Sequence, residues 1–259
     1  MKSFRCVKSL SFFFLVLFGL TFSFSSPVFA AEVVGQMIWV RGNVQAIDAS
    51  NHARTLQRRS LVYEKDTIVT GAGSAQIVFT DNSVVALREG TVFRIDQYKF
   101  NPSSPGDSRY VAGIAKGGFR TITGLISKNN PEGYQVNTPV ATIGVRGTDY
   151  SIYYTPSQGL SVKLDRGAIV VANSGGIAEL NAAQNRVYAE IRGLRTAPVV
   201  TTQPAPAFRS QPSPVRAVMP PVTGGGAAGT GTTTGAPEST TYTVPSGGPT
   251  KQVSGFCIE

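Results

Sequence analysis

From about Glu32 to Arg195, short segments of the chain alternate apolar and polar residues. Ala75, Ile77 and Phe79 share one face of a segment, Thr91, Phe93 and Ile95 repeat the pattern beside Arg94 and Asp96, and Leu160, Val162 and Leu164 alternate with Ser161, Lys163 and Asp165. A period of two places every second side chain on one face of a strand, so these segments predict half-buried β-strands. Between them stand Gly71-Ala-Gly73, Asp81-Asn82, Arg88-Glu-Gly90, Asp165-Arg-Gly167 and Asn173-Ser-Gly-Gly176. These are turn residues, and strands broken by turns every eight to twelve residues or so argue for a sandwich, barrel or solenoid. The predicted class is all-β: a compact β-solenoid-like or β-roll sandwich of many short strands, with a conventional two-sheet sandwich as the alternative. Lys99–Ser108, with two prolines and Gly106, reads as a loop dividing two β-rich lobes, and Ser127–Gly133 as its counterpart.

The two ends depart from this pattern. Lys2, Arg5 and Lys8 precede an apolar run from Leu10 to Phe24 and the small-residue stretch Pro27-Val-Phe-Ala30-Ala31. This is the order of a secretory leader, with the cut expected after Ala30 or, alternatively, Ala31. From about Thr196 the composition turns to Pro, Gly and Thr, too poor in large apolar residues to offset the entropy of ordering. The expected organisation is a signal peptide over 1–30, a β domain over 31–195 and a disordered tail over 196–259. No other segment has the apolar length of a membrane span, so no integral span is expected after cleavage, and the location is periplasmic or secreted.

Charge and cysteines narrow the function classes. Loss of the leader lowers the net charge from +9 to +6, a moderate excess. Arg58-Arg59 is the one adjacent basic pair and no dense basic run with aromatics follows, so no nucleic-acid partner is expected. Diffuse basic charge suits weak attraction to anionic polysaccharide or lipid headgroups. Cys6 leaves with the leader and Cys257 stands alone, which excludes an internal disulfide in the mature chain.

Catalytic constellations are wanting. His52, the single histidine, sits beside Arg54 in a polar segment, and one His with one tail Cys cannot make a tetrahedral zinc site. Gly71-Ala-Gly73 has no following helix or Lys-Ser/Thr and reads as a turn, not a phosphate cradle. Glu64 and Asp66 fall on one strand face, and paired carboxylates of that kind serve glycoside cleavage only across a cleft. No catalytic residue, metal or cofactor is expected.

The densest run of turn and strand chemistry is Asn137-Thr-Pro-Val-Ala-Thr-Ile-Gly-Val-Arg-Gly-Thr-Asp-Tyr150. Thr138 and Pro139 interrupt one extended segment, a second follows, and Arg146 is held between Gly144 and Gly147. A fixed guanidinium binds carboxylate or phosphate in a forked geometry. It can equally pair with Asp149 or nearby carbonyls and lock its own turn with Gly147 and Thr148, the structural role taken first here and binding second. Tyr150 and Tyr154 share a face with Ile152, and Tyr153 takes the other; these three tyrosines suit either core packing or a sugar- or protein-binding surface.

With Gly35–Val44, Asp66–Ala75, Phe79–Val84, Gly90–Ile95 and Gly118-Phe-Arg-Thr-Ile-Thr-Gly124 in order before it, this run resembles the FecR-type periplasmic domain over about Val34 to Val171. Asn82 replaces a customary Gly and tolerates the same left-handed backbone. Glu64-Lys65 also stands where Gly is usual. Regulators of this kind place a cytoplasmic sigma-factor-binding domain and a membrane span ahead of the module, whereas here it follows a leader. The resemblance therefore implies an exported, non-enzymatic module that meets an envelope protein or polysaccharide. Its alternatives are a detached sensory component of a FecR-type signalling system and, less favoured, a cell-wall-sugar hydrolase.

Overall fold

A computed structural model describes residues 32–209 together with 242–243 and 252–253. The expected leader, Cys257 and most of the expected tail lie outside the described residues. In chain order the strands of the main sheet are β1 (Val33–Arg41), β2 (Val44–Ile47), β3 (Ala53–Thr55), β4 (Leu61–Tyr63), β5 (Thr67–Thr70), β6 (Ser74–Phe79), β7 (Val84–Leu87), β8 (Thr91–Lys99), β9 (Arg109–Ile122), β10 (Tyr134–Asn137), β11 (Thr142–Thr155), β12 (Gly159–Asn173), β13 (Gly176–Asn181), β14 (Tyr188–Ile191) and β15 (Val199–Thr201). One helical turn, α1 (Leu125–Asn129), precedes β10, and a second, α2 (Pro206–Arg209), follows β15. The all-β reading holds.

Hydrogen bonds join these strands into one sheet that doubles back on itself. The first layer runs β4-β1-β6-β7, then residues 117–122 of β9, 149–155 of β11 and 159–166 of β12, and ends with β14-β15. The second runs β3-β2-β5-β8, then 109–116 of β9, β10, 142–146 of β11 and 168–173 of β12, and ends with β13. Three strands thus belong to both layers, which makes the domain a β-roll sandwich.

Each shared strand bends at a glycine with positive φ: Gly117 (+89°), Gly147 (+58°) and Gly167 (+89°). The bends of β11 and β12 lie side by side, so closely that a Cβ on Gly167 would stand 2.6 Å from the Gly147 carbonyl oxygen. A Cβ on Gly117 would meet Thr91 Cα at 2.5 Å. Only a residue without a side chain fits either crossing.

The layers meet over aromatic rings. Phe79 of the first layer stacks on Tyr98 and meets Tyr110 edge-on, both from the second, with centroids 5.5 and 5.4 Å apart. Phe93 meets Phe119 across the same gap at 5.4 Å. Tyr110 stacks on Tyr134, whose hydroxyl lies 3.2 Å from that of Tyr150. Fully burying a side chain of this size contributes about 1.5–3 kcal/mol, so this seam fixes how the layers face each other.

Two expectations are revised here. The Lys99–Ser108 segment does not separate two lobes: Lys99 pairs with Arg109, so it caps a hairpin between β8 and β9. Nor does ordered structure stop at Arg195. Asn173 Nδ2 donates to the carbonyls of Gly193 and Thr196, β15 pairs with β14, Pro198 and Ala205 are buried, and Phe208 lies over the Arg88 guanidinium at 6.0 Å. Val199-Val-Thr201 is a short β-forming run set among prolines, and composition averaged over the tail hides it.

Candidate functional site

The turn at Thr138 is built by its own side chain. Thr138 Oγ1 accepts from the backbone N–H of Ala141 (2.9 Å) and donates to the Ala141 carbonyl (2.8 Å), while Pro139 occupies the bend. β10 and β11 therefore form a hairpin, with Asn137 opposite Thr142. β11 then lies against β9, where the two sequence blocks Gly118–Gly124 and Asn137–Tyr150 interlock.

The lock has two parts. Arg120 Nε and Nη2 donate to Asp149 Oδ1 and Oδ2 at 2.9 and 2.7 Å, a bidentate pair of partly buried side chains. The carboxylate raises the Arg120 pKa above its ordinary value chiefly through that hydrogen bonding, against the opposing effect of burial. One step away, the Thr148 N–H donates to Thr123 Oγ1 (2.8 Å), and the Thr123 N–H donates to the Thr148 carbonyl (3.0 Å). Thr148 and Asp149 join β9 to β11, and the arginine that holds Asp149 is Arg120, not Arg146. Arg146 is exposed on the outer side of the bend beside Gly147. An arginine distant in sequence reaches Asp149 because β9 and β11 are neighbours, which local turn chemistry does not reveal.

The tyrosines divide. Tyr150 and Tyr154 are buried in the core and offer no binding surface, so that part of the expectation is corrected. Tyr153 alone of the three is half-exposed, on the outer face of the first layer. Burial holds the phenols of Tyr98, Tyr110, Tyr134 and Tyr150 well above the ordinary tyrosine range.

Other groups weighed in the sequence also find places. His52 is exposed in the turn between β2 and β3, with Nδ1 3.4 Å from Asp48 Oδ2. Glu64 and Asp66 do not share a strand face. They flank a turn in which Lys65 has φ +69°, and buried Asp66 accepts from Arg54 (Nη1 at 2.9 Å and Nη2) and the Tyr63 N–H (2.8 Å). Asp66 is a turn anchor with both carboxylate oxygens engaged. Asn82 adopts φ +64°, so the Asp81-Asn82-Ser83 turn survives without glycine. Among the described residues no group of three or more His, Cys, Asp and Glu is placed to hold a metal.

A concave site of about 590 Å³ lies where the two layers end, lined by Ile177, Ala178 and Glu179 of β13, Arg186, and Pro198, Val199 and Val200 of β15. β13 and β15 are terminal strands, each paired with one other strand; the outer edge of β13 is bridged at Asn181 by Arg186. Val199 is 56% exposed, and Glu179 Oε1 is buried without a hydrogen-bond partner. Neither terminal strand was singled out in the sequence. The Val199-Val-Thr201 run carries the signal, masked by its Pro-rich setting.

Comparison with known proteins agrees with the ordered blocks. Residues 66–178 match the family described as FecR protein, a span that leaves the Gly35–Val44 block outside. Two structures of a candidate anti-sigma factor from Parabacteroides distasonis ATCC 8503 are 18% identical, with a TM-score of 0.41, over 53% of this chain and 59% of theirs. A cell surface anchoring domain is 22% identical over 24% of this chain and 82% of its own, with a TM-score of 0.23. No curated protein matches. No helix of the described residues is long and apolar enough to cross a membrane. Residues 66–178, which contain both interlocked blocks, are a FecR-type domain.

Proposed function

We propose that this chain is an exported, non-enzymatic interaction module of the bacterial envelope, whose FecR-type β domain docks an extended segment of a partner protein along its terminal strands. The observation that carries the reading is the cleft between β13 and β15, where the edges of two terminal strands, that of β13 free outside its Asn181–Arg186 bridge, flank exposed Val199. Free edges are templates for strand addition: main-chain hydrogen bonds supply affinity and side-chain pockets supply selectivity. A leader over 1–30 delivers the module to the periplasm or beyond, and the Pro/Gly/Thr-rich tail serves as a spacer. The engagement of Asp66 by Arg54 and Tyr63, and the exposed turn setting of His52, favour binding over hydrolysis.

The FecR match also favours a second reading, a sensory component that works with a separate membrane regulator. Both use the same edge and differ in the partner.

Photo-cross-linkers placed at Val199 and at Leu61, an exposed residue of the opposite terminal strand β4, test the site in envelope extracts. A specific adduct is expected at Val199 alone, lost when Val200→Lys blocks the edge. Equal labelling at both positions overturns the docking site.

A further inference from the structure

Five exposed cations gather at the end of the second layer where β11 and β12 bend: Lys99, Arg109, Lys128, Arg146 and Arg166. We propose that they form a docking ridge for an acidic polysaccharide, separate from the edge cleft and independent of it. Lys99 and Arg109 are direct cross-strand partners. Their chain neighbours Tyr98 and Tyr110 point into the core, so both cations project from the outer face. Like charges in that relation repel, and a fold gains nothing from the arrangement by itself.

Register extends the row. β10 places Tyr134 opposite Tyr110 in parallel and Gln135 opposite Gly144 in antiparallel, so Arg109 and Arg146, just beyond those pairs, stand on either side of the start of β10. Strands on either side of a third lie about 9–10 Å apart, which sets the rough separation of the two backbones. Arg166 lies opposite Asp149 at the bend, and Lys128 Cγ is the atom nearest to where a Gly147 Cβ would be, at 3.9 Å. The backbone there is open to a ligand.

The nearby acids do not neutralise the row. Asp149 is bound to Arg120 and Asp165 to Lys163 at 2.6 Å. Asp107 and Glu132, exposed in the flanking loops, form no ion pair with these cations among the described residues. Charges set out along a line suit repeated anions on a polymer better than one small anion, which calls for convergent donors. Leu125 is the single exposed large apolar residue beside the ridge, too little to bury in a bilayer.

Polygalacturonate, a carboxylated polysaccharide, serves as the probe, with neutral dextran and phosphatidylglycerol vesicles as comparisons. Full-length mature protein is expected to bind polygalacturonate in a salt-sensitive manner and to ignore dextran. Arg109→Gln with Arg146→Gln should weaken binding on the order of tenfold. Arg109→Lys with Arg146→Lys should preserve it, which also separates charge from folding. Arg94→Gln removes one charge from an arginine already paired with Asp96 and should leave binding intact. Comparable loss in Arg94→Gln, retention in the double Gln variant, or no polymer binding at all overturns the proposal. Binding to vesicles but not to polymer overturns it in favour of a lipid surface.

Discussion

Arg120 and Asp149, 29 positions apart in sequence, clasp each other through two hydrogen bonds of 2.9 and 2.7 Å across adjacent strands and so join two sequence blocks. The pairing relieves Arg146, three residues away across the Gly147 bend, of any duty toward Asp149. It turns the most arresting motif of the chain into a clamp with one free arginine on its outer side.

Arg146→Ala should therefore leave thermal stability nearly unchanged, within about 0.5 kcal/mol for an exposed surface side chain. Arg120→Ala should cost about 1.5–3 kcal/mol, because a partly buried carboxylate loses charge-assisted hydrogen bonds. Arg120→Lys should rescue little, since lysine lacks the planar fork. Chemical denaturation of the three variants checks the ranking.

Glycine substitutions at the bends should separate by space. Gly147→Ala meets no atom closer than 3.9 Å and should cost about 1–2 kcal/mol for the left-handed backbone alone. Gly167→Ala drives a methyl into the Gly147 carbonyl and should exceed about 3 kcal/mol or prevent folding. Parallel melts of the two variants read the difference directly.

Much of this was open to inspection in the sequence. Alternation at Ala75–Phe79 and Leu160–Leu164 announces strands, and Asn82 announces its turn, because both depend on neighbouring residues. The partner of Asp149 was hidden because it depends on which strands become neighbours. Tyr150 and Tyr154 illustrate another limit: alternation puts them on one face without saying whether that face looks inward. The edge at Val199 was obscured by the prolines around it.

Alkaline unfolding follows from the buried phenols. Tyr98, Tyr110, Tyr134 and Tyr150 have folded pKa values raised by burial, so the folded state resists their ionisation. Their contribution is fully present below the unfolded value of about 10 and is lost as pH rises beyond it. Stability should fall steeply above about pH 10, and the tyrosinate absorbance of these four residues should appear together with unfolding.

Truncation discriminates the domain end. A chain ending at Arg209 should melt cooperatively like the longer protein. One ending at Arg195 loses β15, the Thr196 carbonyl that Asn173 binds, and the Ala205 and Phe208 contacts. It should melt at lower temperature, as circular dichroism will show.

A double-mutant cycle on Arg120→Ala and Asp149→Ala tests most directly whether the signature is an internal clamp. The account predicts a coupling of about 1–3 kcal/mol for this pair, and additivity within about 0.5 kcal/mol for Arg146→Ala with Asp149→Ala. Additivity at Arg120 and Asp149, or coupling at Arg146 instead, would contradict it.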